Sequence, residues 1–202
     1  MQAAIRQSEW DECAVHYEHG PSPVTYVYRR DPPSQQWKPW VVVAESAILR
    51  RLGRRGKGLY AGCSFTKGHY IGKFEGTLVG HYETRRAALT APETRRLLRR
   101  GHDKLVTVRA AQGPGFDLLD GESAGTPYLQ MANDPRGTRL QPNVELTDAG
   151  WMRVTRGRVP AFSVDKGLEA NIQSELRWDY SDDYWDLHTL LGTDSTHAIE
   201  VD

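Results

Sequence analysis

Glu175-Leu176-Arg177-Trp178-Asp179-Tyr180 is the most informative run of this chain. It reads as a short strand, yet an acid, an arginine, a tryptophan and an Asp-Tyr pair make an unusual string for a strand inside a core. Tyr184-Trp185 follows closely behind. Upstream, short strands dominate. Val24-Thr25-Tyr26-Val27-Tyr28 alternates, Trp40-Val41-Val42-Val43 is a second candidate, and residues 68–79 alternate like a strand pair broken by glycines. Lys104 to Val108, Phe116 to Gly121 and Trp151 to Val154 add three more. Between them lies one helical stretch. Tyr82 to Leu89 is a modest candidate, and Thr90-Ala91-Pro92-Glu93 has the form of a capping box, with a helix running on to Gly101. The expected fold class is α+β, mostly β.

The 202 residues suit one domain with an appended segment. Residues 1–40 are expected to form an N-terminal flank packed on a core spanning 41–185, with a helical insertion at about 82–101 and an acidic tail over 186–202. No apolar run is long enough to span a bilayer, and the first dozen residues carry charges where a signal peptide needs apolar residues, so an intracellular protein is expected. Cys13 and Cys63 are too few for a disulfide framework or a zinc site and are expected as free thiols, Cys63 in the core. The seven histidines have no metal-ligand spacing, and no metal is expected. No Gly-x-Ser-x-Gly elbow, P-loop or dinucleotide fingerprint is present, which disfavours hydrolase and nucleotide-binding α/β readings.

The 26 basic and 26 acidic residues balance overall but not locally. From Arg50 to Arg109 there are fifteen Lys or Arg against four acids, and from Glu175 to Asp202 eight acids against Arg177 alone. Solvated surface is the plain explanation for both. The sharper one is an acidic rim, with Asp182, Asp183 and Asp186 at the mouth of a site for a basic substrate. Arg95, Arg96, Arg99 and Arg100 give the second helix a basic face that phosphate of a nucleic acid could meet. No aromatic platform is interleaved with them, and the face is read as solvated helix surface.

Four segments in one order carry a resemblance. They are Gly56-Lys57-Gly58-Leu59-Tyr60-Ala61; Lys67-Gly68 with Ile71-Gly72, Phe74 and Gly76; Asp120 through Asn133-Asp134 to Pro142-Asn143-Val144; and the run from Glu175 to Tyr180. Over roughly residues 41 to 185 the chain resembles the SET-domain family of protein lysine methyltransferases. The resemblance implies several small sheets, a pseudoknot-like C-terminal crossing and a short helical insertion. It also implies S-adenosyl-L-methionine as cofactor and a basic protein, such as a histone tail, as substrate.

Residue by residue, the resemblance implies that Lys57, Gly58, Leu59 and Tyr60 cradle the amino-acid end of the cofactor. Asn133 would bind it, and the backbone of Asp134 would meet the adenine edge. Tyr180 would stand beside the methyl-transfer axis as the central catalytic residue and also touch the cofactor. Phe74 and Trp178 would wall the substrate channel, and Tyr184 or Trp185 would stack on adenine or serve as an aromatic anchor. The chain departs from the family where Asn-His is usual (Asn133-Asp134), where Phe or Tyr is usual (Trp178) and near a common arginine (Gln130). It also lacks a cysteine cluster after Tyr180. These departures leave a second reading, a SET-like module that binds cofactor or peptide without transfer. Arg54-Arg55-Gly56-Lys57 could also pass for a nuclear-import patch, so a nuclear location is the finer expectation.

Overall fold

The apolar run Val41-Val42-Val43 indicates a strand covered on both faces, and the fold is built around it. The computed structural model of the chain describes residues 22–31, 34–102, 104–122, 128–182, 184 and 185, together with the backbone of 12–19. A four-stranded antiparallel sheet joins β1 (Glu12–His19), β2 (Ser22–Arg30), β3 (Trp37–Glu45) and β4 (Lys57–Ala61) in that order. Val41, Leu59 and Ala61 point into the main core with Phe65, Ile71, Met152 and Leu176. Val42, Ala44 and Tyr60 point the other way, with Val24, into a smaller cluster. The period-two alternation thus feeds two cores from one sheet. The expected boundary at residue 40 falls inside β3, and β2 of the flank contributes Val24 and Val27 to the buried clusters.

Residues 68–79 do form two strands, β6 (Tyr70–Lys73) and β7 (Thr77–Tyr82), but they do not pair with each other. β6 joins β11 (Trp151–Val154) and β10 (Val144–Leu146), while β7 joins β9 (Phe116–Asp120), which pairs in turn with β8 (Leu105–Arg109). A small fourth pairing links β5 (Phe65–Thr66) to β12 (Arg158–Val159). All four sheets are small and antiparallel, and helices are few: an α+β, mostly-β protein. No helix among the described residues is long and apolar enough to cross a membrane.

The helical insertion is shorter than the sequence suggests. Tyr82 ends β7, and the helices are α2 (Arg85–Thr90) and α3 (Pro92–Leu98). The capping box does not form. Thr90 is the last residue of α2, and its hydroxyl donates to Arg86 O (2.8 Å), so the N-cap of α3 is Ala91, which has no side-chain cap to offer. Thr84 caps α2 instead, accepting from Ala87 N (3.1 Å). A five-residue helix, α1 (Ala47–Arg51), lies between β3 and β4, capped by Ser46, which accepts from Leu49 N (3.0 Å). Arg95, Arg96, Arg99 and Arg100 are all exposed, the last two in the turn after α3. Cys63 is a half-buried free thiol at the edge of the main core, and burial pushes its pKa up.

Candidate functional site

The run from Glu175 to Tyr180 enters the core as a strand of isolated bridges. Glu175 bridges Tyr60 of β4 antiparallel, and Leu176 N donates to Leu59 O (2.7 Å). Arg177 then runs parallel to Asn133 and Trp178 parallel to Val144. Within one peptide unit the C=O and N–H point in opposite directions. The carbonyl of Arg177 accepts from Asn143 N and Val144 N (3.0 and 3.1 Å), while Trp178 N donates to Asn133 O (3.1 Å). The strand therefore passes between the 133 and 143–144 segments and is gripped from both sides.

Glu175 and Arg177 face one way from this strand, Leu176 and Trp178 the other. The Glu175 carboxylate is fully buried, 0% exposed. Ser46 Oγ donates to its Oε1 (2.5 Å), Asn133 Nδ2 to the same atom (3.3 Å), and Ile48 N to Oε2 (3.1 Å). Burial raises the pKa of this carboxyl, and the three hydrogen bonds pull it partly back. Tyr60 lies beside it, donating to Glu45 O (2.7 Å) and accepting from Ala47 N (2.9 Å); burial first and the Glu175 charge second push its phenol up. Asn143 acts as a side-chain rung of the ladder. Its Nδ2 donates to Glu175 O (2.9 Å) and its Oδ1 accepts from Arg177 N (2.7 Å).

The opposite face is aromatic. Trp178 packs edge-on against Phe74 (ring centroids 6.5 Å) and Tyr180 (5.0 Å), and Tyr184 packs edge-on against Tyr180 (5.0 Å). These four rings line a cavity of about 280 Å³, with Val106 and Gln130 among its other walls. The Tyr180 hydroxyl donates to Ala132 O (2.8 Å), which fixes the phenol. Just after Tyr180 the chain turns through Ser181 at φ +74°, a left-handed conformation rare outside glycine. That turn folds Trp185 back nearly parallel to Tyr180, at 15° and 6.2 Å.

Asp134 holds the folded-back segment. Its Oδ2 accepts from Tyr180 N (3.0 Å) and Trp185 Nε1 (2.9 Å), and its Oδ1 from Arg136 N (2.7 Å). Arg136 adds an ion pair to Asp182 (2.7 Å) and lies 5.4 Å from the Trp185 ring centre. Asp134, expected to contribute mainly through its backbone, thus ties Arg136, Tyr180 and Trp185 together with its side chain.

Phe74, Trp178, Tyr180 and Tyr184 come together at one cavity, and Asn133, Asp134 and Trp185 adjoin them. The segment from Lys57 to Tyr60 is arranged differently from the sequence expectation. Leu59 and Tyr60 are fully buried and bonded along both strand edges, so the exposed part of the segment is Lys57 at the start of β4 with residues 54–56 before it. Gly58 is bare because Glu175 and Ser46 fill the space: a Cβ there would meet Glu175 Oε1 at 2.5 Å and Ser46 Cα at 3.1 Å. The close approach that glycine permits is an approach by the protein's own carboxylate. The cofactor implied by the resemblance carries an ammonium and a carboxylate, and one acceptor in this neighbourhood suits the first. Asn133 spends Nδ2 on Lys57 O (2.9 Å), Ser46 and Glu175, and its Oδ1 has no hydrogen-bond partner among the described residues. Lys57, which meets Asn133 through its carbonyl, is exposed and reaches Pro23 O with its Nζ (3.4 Å), and Arg55 is exposed two residues before it.

Of the acidic rim, Asp182 is spent on Arg136, and Asp183 and Asp186 lie outside the described residues, as does the tail over 186–202. Around the cavity itself, Glu145 pairs with Arg153, and Arg85 pairs with Asp148. Exposed Asp179 has no basic partner among the described residues and is the acid at the mouth. Ser46, Glu175 and Asn143 are structural parts of the site to which the sequence assigned no role. The signal for Ser46 was its place before Ala47-Ile48-Leu49, a helix N-cap pattern. No known family model matches the chain, and no curated protein matches it.

Proposed function

We propose that this protein is an S-adenosylmethionine-dependent protein lysine methyltransferase with a SET-type fold. The observation that carries the reading is the crossing of the last strand. The peptide between Arg177 and Trp178 is held from both sides by the 133 and 143–144 segments, and this crossing delivers Trp178 and Tyr180 to an aromatic cavity. That arrangement agrees with the pseudoknot-like crossing the family resemblance implies.

When bound, the cofactor supplies a methyl group on a positively charged sulfur. Asn133 Oδ1 would meet its ammonium, and the exposed Arg55 and Lys57 its carboxylate. The chain's own contribution to the chemistry lies in the cavity. A lysine amine attacks only when neutral, and its free pKa is about 10.4. Walls made of Phe74, Trp178, Tyr180 and Tyr184 solvate an ammonium poorly, so entry shifts lysine toward its neutral form. The proton leaves to water at the cavity mouth. The Tyr180 oxygen, its hydrogen committed to Ala132 O, presents a lone pair that accepts an N–H of the amine and orients it. Exposed Asp179 favours a basic segment around the target lysine.

Incubation of the purified chain with labelled S-adenosylmethionine, core histones and a cell extract tests the reading. Label on lysine of a basic protein is expected, falling about a hundredfold in Tyr180→Phe while the variant stays folded. Cofactor binding with no transfer to any protein would replace the enzyme with the inactive module, and absence of both would sink the reading.

A further inference from the structure

Arg177 points away from the aromatic cavity, into a second one. This pocket, of about 200 Å³, is lined by Gln141, Asn143, Arg156, Arg158, Gln173 and Arg177 among others, and no acidic side chain borders it. Arg177 is only 6% exposed. Its Nε donates to Gln141 O (2.9 Å) and its Nη1 to Ile172 O (2.8 Å), while Nη2 has no hydrogen-bond partner among the described residues. No carboxylate lies within ion-pair distance of it there. Burial disfavours the charge of this guanidinium, and Glu175, on the same face of the strand, attracts it without pairing with it. Arg156 and Arg158 are exposed and have no ion pair among the described residues; Arg158 Nη2 reaches Ser64 Oγ (3.1 Å).

Four other arginines of the fold behave differently. Arg51, Arg85, Arg136 and Arg153 are each paired with a carboxylate, although all four are far more exposed than Arg177. Three guanidinium groups, one of them buried, stand around one concavity with no ion pair among the described residues; only Arg177 feels an internal acid, Glu175, and that at a distance. Gln141 and Gln173 add neutral amides to the lining, whose N–H groups can donate to an anion, while the Asn143 amide stays bonded to the strand.

We propose that this pocket binds a phosphate-type oxyanion, in the form of a dianionic phosphate monoester. Guanidinium groups recognise such oxygens with paired, charge-assisted hydrogen bonds, and the volume leaves room for the first atoms of the esterified group. The two cavities share no lining residue, although Asn143 and Arg177 also anchor the strand that carries Trp178, so the site stands whether or not the chain transfers methyl groups. Its occupant bears on the front of the molecule all the same. Arg177 N is bonded to Asn143 Oδ1 and Arg177 O to the backbone of Asn143 and Val144, and the next residue is Trp178.

The test uses the full chain, labelled with nitrogen-15 and without methyl donor, titrated in turn with inorganic phosphate, O-phosphoserine and adenosine monophosphate. Chloride at matched ionic strength controls for screening of the exposed charges. Saturable shifts of the Arg177 Nε–H and of the Asn143 and Trp178 amides are expected. The affinity should fall about tenfold or more in Arg156→Gln/Arg158→Gln, both exposed positions, with circular dichroism unchanged. Equal affinity for all three probes would point to the free ion, preference for phosphoserine to a phosphorylated side chain, and preference for the nucleotide to a nucleoside phosphate. Absence of a saturable shift at Arg177 with every probe, or binding unaltered in the double variant, would overturn the proposal.

Discussion

The two faces of the strand from Glu175 to Tyr180 are stabilised in opposite ways. On one, Trp178 and Tyr180 stay partly exposed and are positioned mostly by ring contacts, which leave an open cavity between them. On the other, Glu175 and Arg177 are buried charges held by directed hydrogen bonds. Ring contacts are tolerant and can yield to a ligand; buried hydrogen bonds are not, because a lost partner leaves a desolvated polar atom. The anchoring face should therefore govern stability and the aromatic face function.

Asn143→Ala is the strongest way to break that division. It strips partners from the buried Glu175 O and Arg177 N together, and a loss of about 2–4 kcal/mol is expected in urea unfolding, with transfer activity lost only through unfolding. Glu175→Gln sharpens it next. The folded-state pKa of Glu175 is raised above the ordinary 4.5 by burial, so the folded chain holds the proton more tightly than the unfolded one. Its contribution to stability is fully present below about 4.5 and is lost as pH rises through the raised value. The stability of the wild type relative to the glutamine variant should fall over that window, read as the difference between unfolding midpoints from pH 4 to about 8; a flat difference would remove the buried charge from the account.

Asp134→Asn has the smallest effect, about 1 kcal/mol. The carboxylate receives three N–H donors, and an amide must turn its own N–H₂ toward one of them. Faster hydrogen exchange at the Trp185 indole N–H, with the Glu175 network unchanged, is the expected signature. Spread of the effect to the anchoring face would mean that the two faces are not separable.

The local patterns of the sequence translated well where a strand owes its shape to its own alternation. Trp151 to Val154 matches β11 end to end, and Val24 to Tyr28 lies inside β2. Thr90 was misread because a threonine can cap the helix ahead or bond back into the helix behind, and only the tertiary fold decides between them. The aromatic residues were legible because Phe74, Trp178, Tyr180 and Tyr184 are chemically conspicuous. Glu175 and Asn143 were quoted but given no role, since their partners lie 127 to 129 and 32 to 34 residues away. The pocket behind Arg177 joins residues from 141, 156–158 and 173, and no spacing in the chain announces it.

The grip on the peptide between Arg177 and Trp178 also dictates an order of assembly. A strand bonded on both sides cannot find its place until the 133 and 143–144 segments have formed theirs, and those rest on β4 and on β11. Docking of residues 175–180 is then a late folding event that closes loops of more than a hundred residues back to Ser46. Where docking follows the folding transition state, substitutions at Glu175, Asn143 and Asp134 speed unfolding and leave the folding rate unchanged, which stopped-flow kinetics of the Asn143 variant reads directly.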